Sequence, residues 1–192
     1  MAEYWSGIWS GSVWYIAGQV LGLMLAVYSA FLLFPKKRDT LILMKASNDF
    51  LFMLQCFLVG AITGGLLEII SSVRGVIFTL RERKKWADSP FWPILFGVLT
   101  WAAPLVGILS GKESPLSFFA AVGSTIAVIA YYLINPRYIK IFGTLAYVFW
   151  LTYSIVSKNF GGMISNFIGL IAGIAAIIQN EINLKKSKNQ EQ

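Results

Sequence analysis

The sequence predicts an all-α, polytopic membrane protein with seven transmembrane helices. Three observations carry that expectation. Of 192 residues, 57% are hydrophobic and only 13% charged, against the quarter or so that a globular domain keeps charged. The mean hydropathy is +0.67. Finally, apolar runs of about 20 residues, the length a helix needs to cross hydrocarbon, recur along the whole chain, separated by short segments of charge, Gly and Pro.

The first run, 11–34, follows MAEYWSGIWSGSVWY, which has no Lys or Arg. A cleaved signal peptide wants a basic start, so this run is expected to be a permanent span. Trp5, Trp9, Trp14 and Tyr15 are placed at a headgroup layer, where amphipathic rings settle. After FPKKRD comes the second run, 40–59, which carries KASND and with it Lys45, Asn48 and Asp49. VGAITGG turns the chain into the third run, 61–82, where Glu68 and Arg74 interrupt GAITGGLLEIISSVRGVIF. RERKKWADSP precedes the fourth run, 91–110, which has no charge and is expected to face lipid. SGKESP, NPR and SKNFGG introduce the last three runs, 115–134, 138–157 and 161–183, and LKKSKNQEQ follows them.

Alternating the breaks between two sides puts twelve Lys and Arg on one side and only Lys112 and Lys158 on the other, with Lys45 and Arg74 inside spans. That bias predicts a membrane protein with its N-terminus outside and its C-terminus in the cytoplasm. The net charge of +7 is therefore assigned to topology, not to nucleic acid. A single cysteine, Cys56, and the absence of His exclude a disulfide framework and a His-rich metal site. No catalytic residue, metal or cofactor is expected, and no phosphate-binding loop offers direct use of ATP.

An internal repeat organises the spans. KASNDFLFMLQCFLVGAITGGLLEIISSVRGVIF aligns with GTLAYVFWLTYSIVSKNFGGMISNFIGLIAGIAA, pairing Gly64 with Gly162, Glu68 with Asn166 and Gly75 with Gly173. Upstream, after a small gap, Gly22 pairs with Gly123 and Pro35 with Pro136. The expected plan is two parallel three-helix units, 1–85 and 113–184, joined by a linker helix in 86–112, with a basic tail at 185–192. One extra helix between two odd-numbered units makes them parallel, as in one class of repeat transporters.

This 3+1+3 plan resembles the SWEET and PQ-loop superfamily, which includes PnuC-type transporters. LVGAITGGLLEIISSVRGVIF is similar to a segment of the YgjV family of bacterial inner-membrane proteins, on Gly60, Ala61, Thr63, Gly64, Glu68, Arg74 and Phe78. The Pro-Gln pair that names the PQ-loop group is absent, and Pro35 and Pro136 sit at helix ends, not where a hinge would be. The SWEET resemblance implies that Glu68 and Asn166 face each other across a central pocket, with Trp150 near enough to stack on a solute.

Read from the residues alone, Gly64, Gly65, Glu68, Ser71, Ser72 and Gly75 share one broad helical face, while Arg74 points about 120° away from Glu68. Charges inside a span cost about 2.5–3.5 kcal/mol each on insertion scales, so Lys45, Asp49, Glu68 and Arg74 call for a reason. Lys45 and Asp49 are spaced to pair along one helix. The preferred arrangement adds an Asp49–Arg74 contact between helices and leaves Glu68 relatively free. The expected solute-binding residues are Glu68, Asn166, Trp150, Asp49, Asn48 and Ser72, supported by Lys45, Asp49 and Arg74. The expected function is transport of a small polar solute by alternating access; a receptor or scaffold that moves nothing is the alternative, and an enzyme is not expected. Expected partners are that solute and the lipid bilayer, with homo-oligomerisation left open.

Overall fold

The computed structural model describes residues 12–111, 113–133 and 135–190, with side chains through 185. Among these residues the chain forms α1 (Val13–Ser29), α2 (Arg38–Leu58), α3 (Ile62–Thr79), α4 (Phe91–Leu109), α5 (Phe118–Tyr132), α6 (Pro136–Val156) and α7 (Phe160–Gln190), with 3-10 turns at Lys85–Asp88 and Pro115–Ser117. No strand occurs among them, and six of the helices are long and apolar enough to cross a membrane. The seventh, α1, is shorter at 17 residues. The expected roles of Trp5 and Trp9, and of Lys112, Lys186 and Lys188, lie outside the described residues and side chains.

The solvent logic is that of lipid. Val20, Met24, Val27, Ile94, Val98 and Leu105 face outward, while Gln19, Asp49, Gln55, Glu68, Arg74 and Asn166 are buried. A water-soluble domain does the opposite with its charges. Helical bounds follow local chemistry. Ser12 Oγ accepts from Tyr15 N–H at the start of α1, and Asn135 Oδ1 accepts from Arg137 N–H at the start of α6, with Pro136 in the first position.

Three ends differ from expectation. α1 stops at Ser29, not at 34, because Pro35 disfavours helical backbone before it, and 30–34 closes instead into tight turns through Phe31 N–H to Tyr28 O and Phe34 N–H to Phe31 O. The fifth helix begins at Phe118, preceded by the 3-10 turn whose Leu116 N–H is capped by Ser114 Oγ. α7 runs past 183 to Gln190, since NLKKSKNQ contains no Gly or Pro to stop it.

Around the bundle α1 packs on α2, α2 on α3, α3 on α5, α5 on α6, α6 on α7, and α7 back on α1, closing a ring of six. α4 sits outside it, against α3 and α5. It turns Phe96, Thr100, Ala103, Pro104 and Gly107 inward and leaves the rest of its surface outward, as an uncharged helix at a lipid boundary does. Two apolar clusters fill the ring. One, with Leu41, Ile42, Phe78, Phe96, Tyr131 and Ile139, lies toward the end that carries the basic loops; the other, with Cys56, Val59, Leu67, Ala103 and Tyr153, lies toward the far end. Ionisable side chains occupy the layer between them.

Candidate functional site

The layer encloses a cavity of about 30 Å³, lined from α2 and α3 by Lys45, Asn48, Asp49, Phe52, Cys56, Glu68, Ser71 and Arg74. Its other wall is Tyr131 from α5, Gly143, Ala146, Tyr147, Trp150, Tyr153 and Ser154 from α6, and Asn166 from α7. That volume holds about two water molecules.

Lys45 Nζ meets Asp49 Oδ1 at 2.5 Å along α2, as the one-turn spacing allows, and lies 5.9 Å from the Tyr147 ring centre. Glu68, only 4% exposed, lines the same cavity as Asp49. Two carboxylates in one low-dielectric space want a cation beside them. Lys45 is the cation beside this pair.

The Asp49–Arg74 bridge that sequence reasoning preferred is not made. Arg74 is 1% exposed and spends its guanidinium elsewhere: Nη1 donates to Ser124 O at 3.2 Å, Nη2 to Ser71 Oγ at 3.1 Å, and the group stands 5.4 Å from the Tyr131 ring centre. The reason is reach. A carbonyl on α5, the neighbouring hydroxyl on α3 and an aromatic face satisfy the cation locally. Glu68 and Arg74 make no ion pair along α3 among the described residues, though both line the cavity, and Asp49 lines it with them.

Several polar atoms here have no protein partner. Asn48 Nδ2 and Oδ1, Tyr147 Oη and Arg74 Nε are all buried and unpaired. Buried polar groups are otherwise almost always paired, so four orphans around one cavity call for a polar partner, water or solute. Asn166 is half-satisfied: its Nδ2 donates to Ser154 Oγ at 3.0 Å. Trp150 packs edge-on to Tyr153, with ring centres 5.9 Å apart.

Of the expected binding residues, Glu68, Asn166, Trp150, Asp49 and Asn48 all line the cavity, as do Lys45 and Arg74. Ser72 does not; its hydroxyl donates back to Glu68 O at 2.8 Å, and Ser71 takes its place. Tyr147 and Tyr153 are cavity walls as well.

Polar contacts close both ends. At the far end Tyr153 Oη accepts from Gly64 N–H at 2.8 Å and donates to Glu113 Oε1 at 3.2 Å, and Glu113 also accepts from Thr63 N–H at 2.7 Å and Ser117 Oγ at 2.6 Å. Beside them Gln55 and Asn159 exchange two amide hydrogen bonds, 2.5 and 2.9 Å. Helices α3 and α7 both start here, and their free N–H groups attract such acceptors. At the basic end Arg38, first residue of α2, donates to Phe78 O at 3.1 Å, to Tyr131 O at 3.1 Å and to Leu133 O at 3.3 Å. One guanidinium thus caps the carbonyl ends of α3 and α5. Apart from Ser117 to Glu113, four residues apart, none of these contacts between side chains and remote segments has a local sequence signal. Among the described residues no group of His, Cys, Asp or Glu is placed to hold a metal ion.

No curated protein and no solved structure matches the chain. A family model described as bacterial inner membrane protein, Imp-YgjV, matches residues 16–183. With that match over most of its length and with its membrane-crossing helices, the chain belongs to the Imp-YgjV family and is a multi-pass protein of the bacterial inner membrane.

Proposed function

We propose that this protein moves a small polar solute across the membrane by alternating access, through a pocket between two parallel three-helix units, α1–α3 and α5–α7. One observation carries the reading. The alignment that sets Gly64 on Gly162 pairs Lys45 with Gly143, Asn48 with Ala146, Asp49 with Tyr147, Phe52 with Trp150, Cys56 with Ser154 and Glu68 with Asn166, and all twelve residues line the one cavity. The site thus lies on a proposed axis along the membrane normal, where the repeats of transporters meet.

Helix neighbours and turns support the same repeat. Exchanging α1 for α5, α2 for α6 and α3 for α7 converts the ring of contacts into itself. The α2–α3 turn bonds Val59 N–H to Gln55 O, Gly60 to Phe57, Ala61 to Cys56 and Ile62 to Gly60; the α6–α7 turn bonds Ser157 to Tyr153, Lys158 to Ile155, Asn159 to Ser154 and Phe160 to Lys158. Each turn also has one residue at positive φ, Gly60 at 78° and Lys158 at 55°. These are the same turn at repeat-related positions. The arrangement is SWEET-like in plan, with α4 as the linker helix.

On this reading the conformation is an occluded one, because polar contacts lie toward both ends of a cavity with room for about two waters. A solute enters by opening one seal, Arg38 on the basic side or Tyr153, Glu113, Gln55 and Asn159 on the other. Glu68 and Asp49 receive a proton or a donor group of the solute, the unpaired Asn48 amide and Tyr147 hydroxyl orient it, and Asn166 and Trp150 form the opposite wall. The positive-inside bias of the basic loops supports a cytoplasmic C-terminal end.

Uptake into vesicles that contain the purified protein tests the proposal. With a panel of small polar metabolites, wild type gives flux for at least one and Glu68→Gln loses it at equal insertion. Flux for none, with the cavity charges all structural, favours the scaffold reading instead.

A further inference from the structure

A second cavity, of about 350 Å³, opens at the basic end between α6, α7 and the α1–α2 connection. Phe34, Lys36, Lys140, Gln179, Asn180 and Asn183 line it, with Ala176 and Leu184. Its chemistry is one-sided. Lys140 is only 4% exposed as a residue, and no carboxylate or hydrogen-bond acceptor among the described residues meets its ammonium. A second cation, Lys36, lines the same cleft. The nearest acid on α7, Glu181, is already bound to Arg137 at 2.8 Å. Two ammoniums that line one cleft with no carboxylate in its lining favour an anion between them. Three amides around the two lysines supply N–H donors, while Phe34 and Leu184 give the cleft an apolar lip.

We propose that this cleft binds a phosphate group, held by Lys140 and Lys36 and hydrogen-bonded by Gln179, Asn180 and Asn183. Phosphate fits better than carboxylate because its oxygens engage two ammoniums and several amides at once. Two sources present that group here: the headgroup of an anionic lipid, with its acyl chain along the apolar lip, and a soluble phosphorylated solute. Basic pockets between helices at a membrane's cytoplasmic side are suited to the first. The site is separate from the central cavity and shares no lining residue with it.

The test is ligand-induced thermal stabilisation of the full chain in a neutral detergent, since whatever binds the folded state raises its stability. One arm adds short-chain phosphatidylglycerol with phosphatidylcholine as the uncharged control; the other adds inorganic phosphate and glycerol 3-phosphate. Stabilisation by phosphatidylglycerol alone identifies the lipid source, and stabilisation by the soluble phosphates identifies the other. Either supports the site only if Lys140→Gln weakens the apparent affinity about tenfold or more, which is the loss of one buried charge-assisted contact. Lys36→Gln, at an exposed position that does not threaten folding, must weaken it as well. Stabilisation equal in wild type and both variants, or none in either arm, overturns the proposal.

Discussion

Replacing Gly22 by Ala should separate two helices that nothing else permits to approach so closely. A Cβ built on Gly22 lies 2.7 Å from both the Cα and the carbonyl carbon of Gly161, and ordinary contact begins near 3.4 Å. The obstacle is backbone, so no side chain can swing aside, and α1 must withdraw from α7 by about 0.7 Å. The bond from Gly161 N–H to Gln19 Oε1, 2.7 Å long, then stretches to the limit of hydrogen bonding, as does Ser29 to Ser165 at 2.8 Å. Overpacking costs about 1–3 kcal/mol, and an orphaned buried donor about the same again. Against this stands the helical preference for Ala over Gly, about 1 kcal/mol. The net loss expected is about 1–5 kcal/mol.

Gly97→Ala is the matched control. The same atom built there meets nothing within 4 Å, so this change should be neutral or mildly stabilising. Unfolding of the two variants and wild type, followed by circular dichroism in mixed micelles over a denaturant series, measures the difference. Equal stability of Gly22→Ala and Gly97→Ala would refute the claim that a glycine contact joins α1 to α7.

Two further predictions come from the cavity and its turns. Asp49→Asn or Lys45→Met alone strands the other half of a pair whose carboxylate is nearly buried, and should cost about 3 kcal/mol; Lys45→Met with Asp49→Leu should cost clearly less than the two singles together, as a double-mutant cycle in micelles will read. Lys158→Gly should stabilise by about 0.5–1 kcal/mol, because φ of 55° is strained for a side chain, whereas Gly60→Ala at 78° should destabilise by about 1 kcal/mol; the same denaturation assay decides both signs.

The helices, the breaks between them and most of the site were legible because membrane helices announce themselves locally. Lys45 and Asp49 sit one turn apart, so their pairing needed no knowledge of neighbours. Arg74 illustrates the opposite case. Its partners are a carbonyl of Ser124 and the ring of Tyr131, both on α5, and a carbonyl leaves no trace in a sequence. Glu113 and Gln19 were missed for a similar reason: each caps a helix start, at Thr63 and Gly161, that is remote along the chain. Arg38 counted only as one more basic loop residue, although its guanidinium is buried against three carbonyls. Tertiary caps of this kind are invisible to rules that read a window of residues.

The proposed repeat makes the distribution of charge the most informative feature of the cavity. If the two units were alike, Lys45 and Glu68 would each face a copy of themselves across the axis, and like charges in a low-dielectric space of this size repel strongly. The chain instead has Gly143 and Asn166 at those positions, with Tyr147 opposite Asp49 and Trp150 opposite Phe52. One wall is ionic and the other is aromatic and amide. On the proposed transport reading, a solute between them would be oriented, its charged or donor end toward α2 and α3 and its flatter or neutral end toward α6 and α7. A scaffold needs no such division, because a network that only fixes register gains nothing from keeping Asn48 and Tyr147 unpaired beside it. The asymmetry of the walls, more than the presence of charge, therefore argues for a bound guest.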